Sequence, residues 1–318
     1  MNSKFLMMAA LAVCGCANVS EEIPAAKEEM VELNFSVPCR GLTKLTGNLD
    51  EDTVEDLQIF VFGKDGQLQA YGHAESDEVT LTCSTGEKRI AAIVNAPQAS
   101  QISNETQLKE LVSSFSDNDV ERYVMAGIED KVIEKTGDVT IPVSRLICKV
   151  ALKGVTNAFE LPQHQALGFA VKSIFLTNAA EDRTYFSQSD PKGWRNKGVS
   201  NMGQIVAASG NLLHASIGAA KVQYGETFNC QDYLYCYPNP LKEGMEPTYL
   251  VIETILGTST YFYPVALPPM QSNKCYNVSL TVCKPGSSSP DVPVQMADLK
   301  FEVDVQPWAE NVSVDETI

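Results

Sequence analysis

Nine cysteines and three histidines are the residues of this sequence best suited to nucleophilic or metal chemistry. The histidines, His73, His164 and His214, form no HExxH pair, and neither a GxSxG turn nor a glycine-rich phosphate loop accompanies them. The cysteines contain no CxxC pair, so their spacing does not indicate a zinc site. We therefore expect no catalytic residue, no metal ligand and no cofactor, and we predict that the protein is not an enzyme.

Most of the cysteines have the character of small buried apolar residues. Seven of them follow the first twenty residues, at positions 39, 83, 148, 230, 236, 275 and 283, and an odd number cannot pair completely within one chain. Cys275 and Cys283 share one predicted strand, where about 3.3 Å per residue separates them too far for a disulfide. Cys230 and Cys236 are the pair to test first.

The cysteine with the clearest chemical role is Cys16. Residues 1–4 form a short positive region that ends in Lys4, and residues 5–13 form an apolar run that is too short to span a bilayer but has the length of a signal-peptide core. Gly15 directly before Cys16 resembles a bacterial lipobox, in which the thiol is acylated and residues 1–15 are removed. Cys14, which follows the bulkier Val13, is a poorer candidate, and a secretory signal without lipid is the alternative. Residues 17–29 are polar and acidic, as in a flexible tether.

A second candidate for covalent processing is the Arg40–Gly41 bond. Val31, Leu33, Phe35 and Val37 alternate with polar residues, which predicts a half-buried strand. Pro38 ends that strand, and Arg40 is the first arginine of the sequence. Two interpretations remain open. The segment is either an ordinary first strand with a surface arginine, or a strand that a trypsin-like protease removes by cutting after Arg40.

The rest of the chain predicts many short strands and little helix. Residues 57–62 and 67–71 form a hairpin, residues 79–83, 89–95, 123–128 and 139–143 form further strands, and Asn104 caps a helix that continues to Phe115. Strands are also predicted at 145–152, 170–176, 233–237, 248–255, 260–265, 276–282 and 299–305, and residues 177–225 are expected to be mainly loops. This pattern predicts an all-β protein with two tandem β-sandwiches that meet near Ser144.

Composition limits the partners. The 318 residues carry 24 Lys and Arg against 40 Asp and Glu, a net charge of −16, which argues against binding to nucleic acid or to an anionic membrane through a basic surface. An exposed aromatic platform would favour a glycan-binding lipoprotein, but Trp194 and Trp308 lie in separate regions, and Tyr261 and Tyr263 on one strand face are more typical of packing.

Several segments together resemble the fimbrillins, the subunits of type V pili in Bacteroidales. They are the lipobox, the strand that ends at Arg40, LQIFVFGKDGQLQAY, IPVSRLICKVAL with FAVKSIFLTNA, and in the last third YCYPNPLKEGMEPTYLVIET, TYFYPVALP, CYNVSLTVCKPGSSSPDVP and FEVDVQPW. The resemblance covers nearly the whole mature chain. It implies two transthyretin-like β-sandwich domains with one short helix in the first, and a surface-exported outer-membrane lipoprotein.

The resemblance also implies a mode of assembly. A trypsin-like surface protease cuts after Arg40, and the C-terminal strands of another fimbrillin subunit fill the groove that the first strand leaves. Residues 299–318 match the donor region, with apolar positions Leu299, Phe301, Val303, Val305, Val312, Val314 and Ile318. The implied segments are a signal peptide (1–15), a tether with the removable strand (16–40), a first sandwich (41–144) and a second (145–318).

Some short features either support or depart from this pattern. Ser20-Glu21-Glu22 resembles a surface-export signal of the same bacteria, and Asp52-Thr53-Val54 resembles an O-glycosylation signal at Thr53. Cys39 departs from the family pattern, and a cysteine directly before Arg40 could hinder or modify the cut. An uncut chain would retain its lipid and its first strand, as in a fimbrial anchor. Two more functions stay open besides a polymerising subunit, namely a tip adhesin and a monomeric glycan-binding lipoprotein.

Overall fold

The computed structural model describes residues 29–37, 51–99, 101–187, 189–291 and 299–308. Its strands in chain order are β1 (Met30–Ser36), β2 (Leu57–Gly63), β3 (Leu68–Ala74), β4 (Glu78–Ser84), β5 (Gly86–Val94), β6 (Val112–Ser114), β7 (Met125–Ile133), β8 (Gly137–Thr140), β9 (Ser144–Arg145), β10 (Cys148–Asn157), β11 (Phe169–Thr177), β12 (Ala179–Ala180), β13 (Asp182–Thr184), β14 (Trp194–Arg195), β15 (His214–Lys221), β16 (Thr227–Asn229), β17 (Tyr233–Cys236), β18 (Tyr249–Leu256), β19 (Ser259–Ala266), β20 (Lys274–Val282) and β21 (Leu299–Pro307). The helices are α1 (Glu105–Glu110), α2 (Pro162–Gln165) and α3 (Met202–Ser209), with a 3₁₀ turn at Phe115–Asp117. The all-β prediction is confirmed.

The first sandwich consists of a three-stranded sheet in the order β4-β1-β8 and a five-stranded sheet in the order β3-β2-β5-β7-β9. Alternate side chains of β2, including Leu57, Ile59 and Val61, pack into one core with Leu33 and Phe35 of β1. Phe60 and Phe62, on the opposite face of β2, belong to a second core. Both faces of β2 are therefore covered, which explains why its sequence is apolar without alternation.

The second sandwich has a sheet in the order β16-β10-β20-β21, with β17 also paired to β10, and a four-stranded sheet in the order β15-β11-β18-β19. Strand β10 pairs in parallel with β20, and the other pairings in these two sheets are antiparallel. Its core includes Val150, Ile174, Ile252 and Val278, all fully buried. The tandem sandwich fold is thus as predicted, and β21 is the last strand of its sheet.

The two sandwiches are joined by direct contacts. Strand β6 from the first half pairs with β13 from the second, and the hydroxyl groups of Ser113 and Tyr237 hydrogen-bond at 2.6 Å. The rings of Tyr123 and Tyr235 lie 4.9 Å apart between centroids. The prediction of a boundary near Ser144 stays a prediction, although β9 at this point still pairs with β7 of the first sheet.

Two parts of the sequence-based description were wrong. The helix capped by Asn104 ends at Glu110 instead of Phe115, because Leu111 is extended and β6 pairs with β13 from a distant part of the chain. Residues 177–225, expected to be mainly loops, contain four strands and α3. None of the helices in the described ranges combines the length and the apolar character needed to cross a bilayer.

Candidate assembly site

Strand β1 is the middle strand of its sheet. It pairs antiparallel with β4 from Met30–Ser84 to Ser36–Glu78, and in parallel with β8 from Leu33–Gly137 to Ser36–Thr140. Two short connections extend these ladders, since Val37 N–H donates to the Asp77 carbonyl and Ile141 N–H donates to the Ser36 carbonyl. Both backbone edges of β1 are consequently used.

The apolar side chains of β1 point into the first core. Leu33, Phe35 and Val37 are 1%, 0% and 2% exposed, and Val31 is partly buried at the start of the strand. The opposite face is polar, with Asn34 Nδ2 donating to Asp138 Oδ1 at 3.5 Å. The predicted alternation of the first strand is confirmed, and its apolar face is a structural part of the core.

The seat of β1 is defined by the residues that lie opposite it. On β4, Val79, Leu81 and Cys83 are the register partners of Phe35, Leu33 and Val31. On the other side, Val139 of β8 is the register partner of Phe35. Burial raises the pKa of the Cys83 thiol, so this residue is a neutral apolar group at physiological pH. Without β1, this seat would be an apolar groove between two unpaired strands.

Strand β21 has a different environment. It pairs with β20 over nine positions, from Lys274–Pro307 to Val282–Leu299, and has no partner on its other edge among the described residues. Phe301 and Val303 are partly buried against the second core, whereas Val305 is 45% exposed. The side chain of Leu299 lies outside the described set. This strand carries the predicted alternation but buries it only partly.

The C-terminal end of β21 is held by a polar and aromatic cluster, which we call the Glu51 cluster: Glu51, Arg145, Lys149, Tyr235 and Trp308. The Glu51 carboxylate accepts hydrogen bonds from Lys149 Nζ at 2.8 Å, the Tyr235 hydroxyl at 2.6 Å and Trp308 Nε1 at 2.8 Å. Arg145 lies over the Trp308 ring, 4.5 Å from its centroid. Four separate parts of the chain therefore meet at this carboxylate.

Burial raises the pKa values of the phenol groups at the Glu51 cluster, which keeps them neutral at physiological pH. Burial, followed by the nearby Glu51 charge, raises the pKa of Tyr235, so its hydroxyl stays protonated and donates to Glu51. Burial also raises the pKa of Tyr123 to about 12. Hydrogen bonds to a charged acceptor are stronger than neutral ones, which makes this cluster a specific contact for the Trp308 indole.

The other predicted site residues fall into two groups. Cys16, Arg40, Gly41, Val312, Val314 and Ile318 lie outside the described residues. The three histidines lie on three different elements, β3, α2 and β15, and no group of three or more His, Cys, Asp or Glu in the described ranges could hold a metal ion. Six described cysteines are free, and Cys236 lies across from Cys148 in the β10–β17 ladder.

Sequence reasoning missed the Glu51 cluster and the pairing of β1 with β8. The tryptophan directly after Pro307 was a possible signal, because a large aromatic residue at the end of a strand often packs against a neighbouring element. Glu51 gave no signal, since an acidic residue in a loop is usually solvated.

Comparison with known proteins places this arrangement in a class of tandem β-sandwich proteins. A proposed cell adhesion protein from Bacteroides eggerthii superposes with a TM-score of 0.63 at 19% identity, covering 88% of this chain and 96% of the other. A second from Parabacteroides distasonis has a TM-score of 0.63 at 16% identity, covering 89% and 100%. A fimbrilin from Porphyromonas gingivalis has a TM-score of 0.59 at 16% identity, covering 87% and 97%.

The family comparison is more specific. Residues 40–161 match the model of the major fimbrial subunit protein (FimA) family, which confirms the resemblance to fimbrial subunits over this part of the chain. No curated protein matches the chain. The matched segment is less than half of the 318 residues, and the family that it matches is that of a fimbrial subunit.

Proposed function

We propose that the protein is a pilus subunit that polymerises by strand exchange after proteolysis at Arg40–Gly41. The observation that carries this proposal is the position of β1, a strand that precedes the cleavage bond and lies in the middle of a sheet. Removal of a middle strand leaves two edges that face each other, and a strand from another copy can pair with both.

The C-terminal strand has the same spacing of apolar residues as β1, the strand that it would replace. Val31, Leu33, Phe35 and Val37 occupy four alternating positions, and Leu299, Phe301, Val303 and Val305 repeat that spacing. Fully burying a large apolar side chain contributes about 1.5–3 kcal/mol. Val305 is 45% exposed on its own subunit, so transfer into the core of another copy would add burial there.

The donor of one copy and the seat of the next are different surfaces. Contacts of this heterologous kind repeat without closing, so they generate a filament. In this scheme Cys16 carries the lipid that holds the precursor at the outer membrane, a trypsin-like protease at the cell surface makes the cut, and the other partners are further fimbrial subunits.

The cut itself is tested by intact mass and electron microscopy on the full chain before and after a trypsin-like protease. We expect a product that begins at Gly41, followed by filaments. Arg40→Ala should give neither, whereas Lys64→Ala, which removes a basic residue from an exposed ion pair with Glu87, should give both. Filaments from Arg40→Ala would overturn the cleavage step and favour an uncut anchor.

The strand exchange is tested with two variants, each of which damages one of the two surfaces that must meet. Val303→Asp damages the proposed donor and leaves the seat intact, and Leu81→Asp damages the seat and leaves the donor intact. After the cut, each variant alone should remain monomeric, whereas a mixture should give a dimer with one donor and one seat. A mixture that stays monomeric, or filaments from Leu81→Asp alone, contradicts the exchange, whereas filaments from Val303→Asp alone would assign the donor role to residues 311–318.

Deletion of residues 311–318 shows which half of the donor region, residues 299–305 or residues 311–318, is needed for the exchange. Retained filaments would assign the donor role to Leu299, Phe301, Val303 and Val305. Lost filaments with an unchanged fold by circular dichroism would assign it to Val312, Val314 and Ile318.

A further inference from the structure

The structure describes the donor region as far as Trp308. The Trp308 side chain is buried, and it belongs to the Glu51 cluster. We infer that the contact between Glu51 and Trp308 is a latch that holds β21 on its own subunit and sets how readily the strand is released. This inference rests on the proposed strand exchange and adds the residues that control it.

The remainder of β21 is weakly held. One edge has no partner among the described residues, and Glu302, Asp304 and Gln306 on its outer face line an open cavity of about 820 Å³. With the side chain of Leu299 outside the described set, no residue of β21 itself is fully buried. Trp308, directly after the strand, is 4% exposed. Release of the strand would therefore break the β20 ladder, the partial packing of Phe301 and Val303, and the burial of the indole.

Both the N–H group and the aromatic ring of the Trp308 indole are in contact with neighbouring groups. Its Nε1–H donates to Glu51 Oε2 at 2.8 Å, and its backbone N–H donates to the Asn273 carbonyl at 3.0 Å. Its ring lies 5.6 Å from that of Tyr235 and under the Arg145 guanidinium. The Glu51 side chain is only 15% exposed, so loss of its carboxylate would leave Lys149, Tyr235 and Trp308 without their shared acceptor.

The position of Glu51 in the chain connects the latch to the proposed cut. Glu51 follows the Arg40–Gly41 bond along the connection from β1 to β2, and Trp308 ends the proposed donor strand. The latch therefore connects the segment that follows β1, the strand proposed to be removed, to β21, the proposed donor strand. Arg145 reinforces the same segment, because it donates to the Glu51 carbonyl and forms an ion pair with Asp52.

The test is amide hydrogen exchange on the uncut monomer, which does not depend on polymerisation. In Glu51→Ala we expect exchange of residues 299–308 to accelerate about tenfold or more relative to the unchanged protein, with β18 unaffected. Glu55→Ala is the matched control, since it removes a nearby carboxylate whose ion pair with Arg122 is on the surface. Equal exchange of residues 299–308 in the two variants would overturn the latch.

A second variant covers the case in which Glu51→Ala does not fold. Trp308→Phe retains an aromatic ring but has no N–H for Glu51, and we expect a smaller acceleration confined to residues 299–308. Unchanged exchange in Trp308→Phe, or acceleration spread through β10 and β18, would also overturn the latch. Failure of the unchanged protein to polymerise would contradict the strand exchange itself, and the two failures are thus distinguishable.

Discussion

Strands β1 and β21 carry nearly the same sequence pattern but have opposite environments. β1 with Val37 directly after it, and β21, each present four apolar residues at alternating positions, yet Phe35 is fully buried and Val305 is 45% exposed. The difference arises from position. β1 has a neighbouring strand on each side, whereas β21 has a neighbour on one side only among the described residues. A strand pattern therefore specifies which side chains share a face but not how completely that face is covered.

The comparison also separates two kinds of attachment. β1 is held along its whole length by its neighbours and by the core. β21 is held by one ladder and, at its end, by the Glu51 cluster. Under the proposed exchange, the strongly bound strand requires a covalent cut, whereas the weakly bound strand requires only the loss of non-covalent contacts.

The largest difference should be seen on truncating one phenylalanine in each strand. Phe35→Ala should lower the free energy of unfolding by about 3–5 kcal/mol, because it leaves a cavity in the first core. Phe301→Ala should cost about 1 kcal/mol, since its side chain is only partly buried. Urea denaturation of the uncut chain measures both, and equal losses would contradict the contrast between the strands.

A smaller effect should follow from disturbing the neighbour of β1. A Cβ at Gly127 of β7 would lie 1.9 Å from the Pro142 carbonyl oxygen, close to the end of β8. Gly127→Ala should therefore destabilise the first sandwich by about 1–3 kcal/mol.

Gly137→Ala is the control for this prediction, since a Cβ there meets no atom within 4 Å. It should leave thermal unfolding nearly unchanged. Similar melting temperatures for the two alanine variants would show that the path of the chain beside β8 is not tightly constrained.

Alkaline pH should loosen the end of β21. The pKa values of Tyr123, about 12, and of Tyr235 are raised by burial, so the folded state retains phenolic protons that the unfolded state loses near pH 10. This contribution is constant below pH 10 and is lost as the pH rises above it. Trp308 emission in a Trp194→Phe background should shift above pH 10. Tyr235→Phe should weaken the shift, and an identical titration in that variant would argue against these phenols.

The smallest effect on stability is expected at Val305. Val305→Thr should change the free energy of unfolding by less than about 0.5 kcal/mol, because the side chain is largely exposed. The same variant should nevertheless reduce filament yield after the cut, since the residue would be buried in another copy. Unchanged yield by quantitative sedimentation would remove Val305 from the donor surface.

Local patterns predicted much of this molecule. The alternation in β1, the hairpin of β2 and β3 and the cap at Asn104 all depend on neighbouring residues, and all are present. Pairings between distant segments were not predictable in this way. β6 is a strand because β13 lies beside it, and Glu51 is partly buried because Lys149, Tyr235 and Trp308 converge on it from other parts of the chain.

The mixed pairing of β1 has a consequence for any strand that replaces it. Its neighbour β4 runs antiparallel to it and its neighbour β8 runs parallel, so a replacement that reproduces both ladders must run in the direction of β1. Every junction in a polymer built through this seat would then have the same orientation. Such a fibre is polar, with one end that offers an empty seat and another that offers a free strand, and these two ends are chemically distinct sites for growth and for termination.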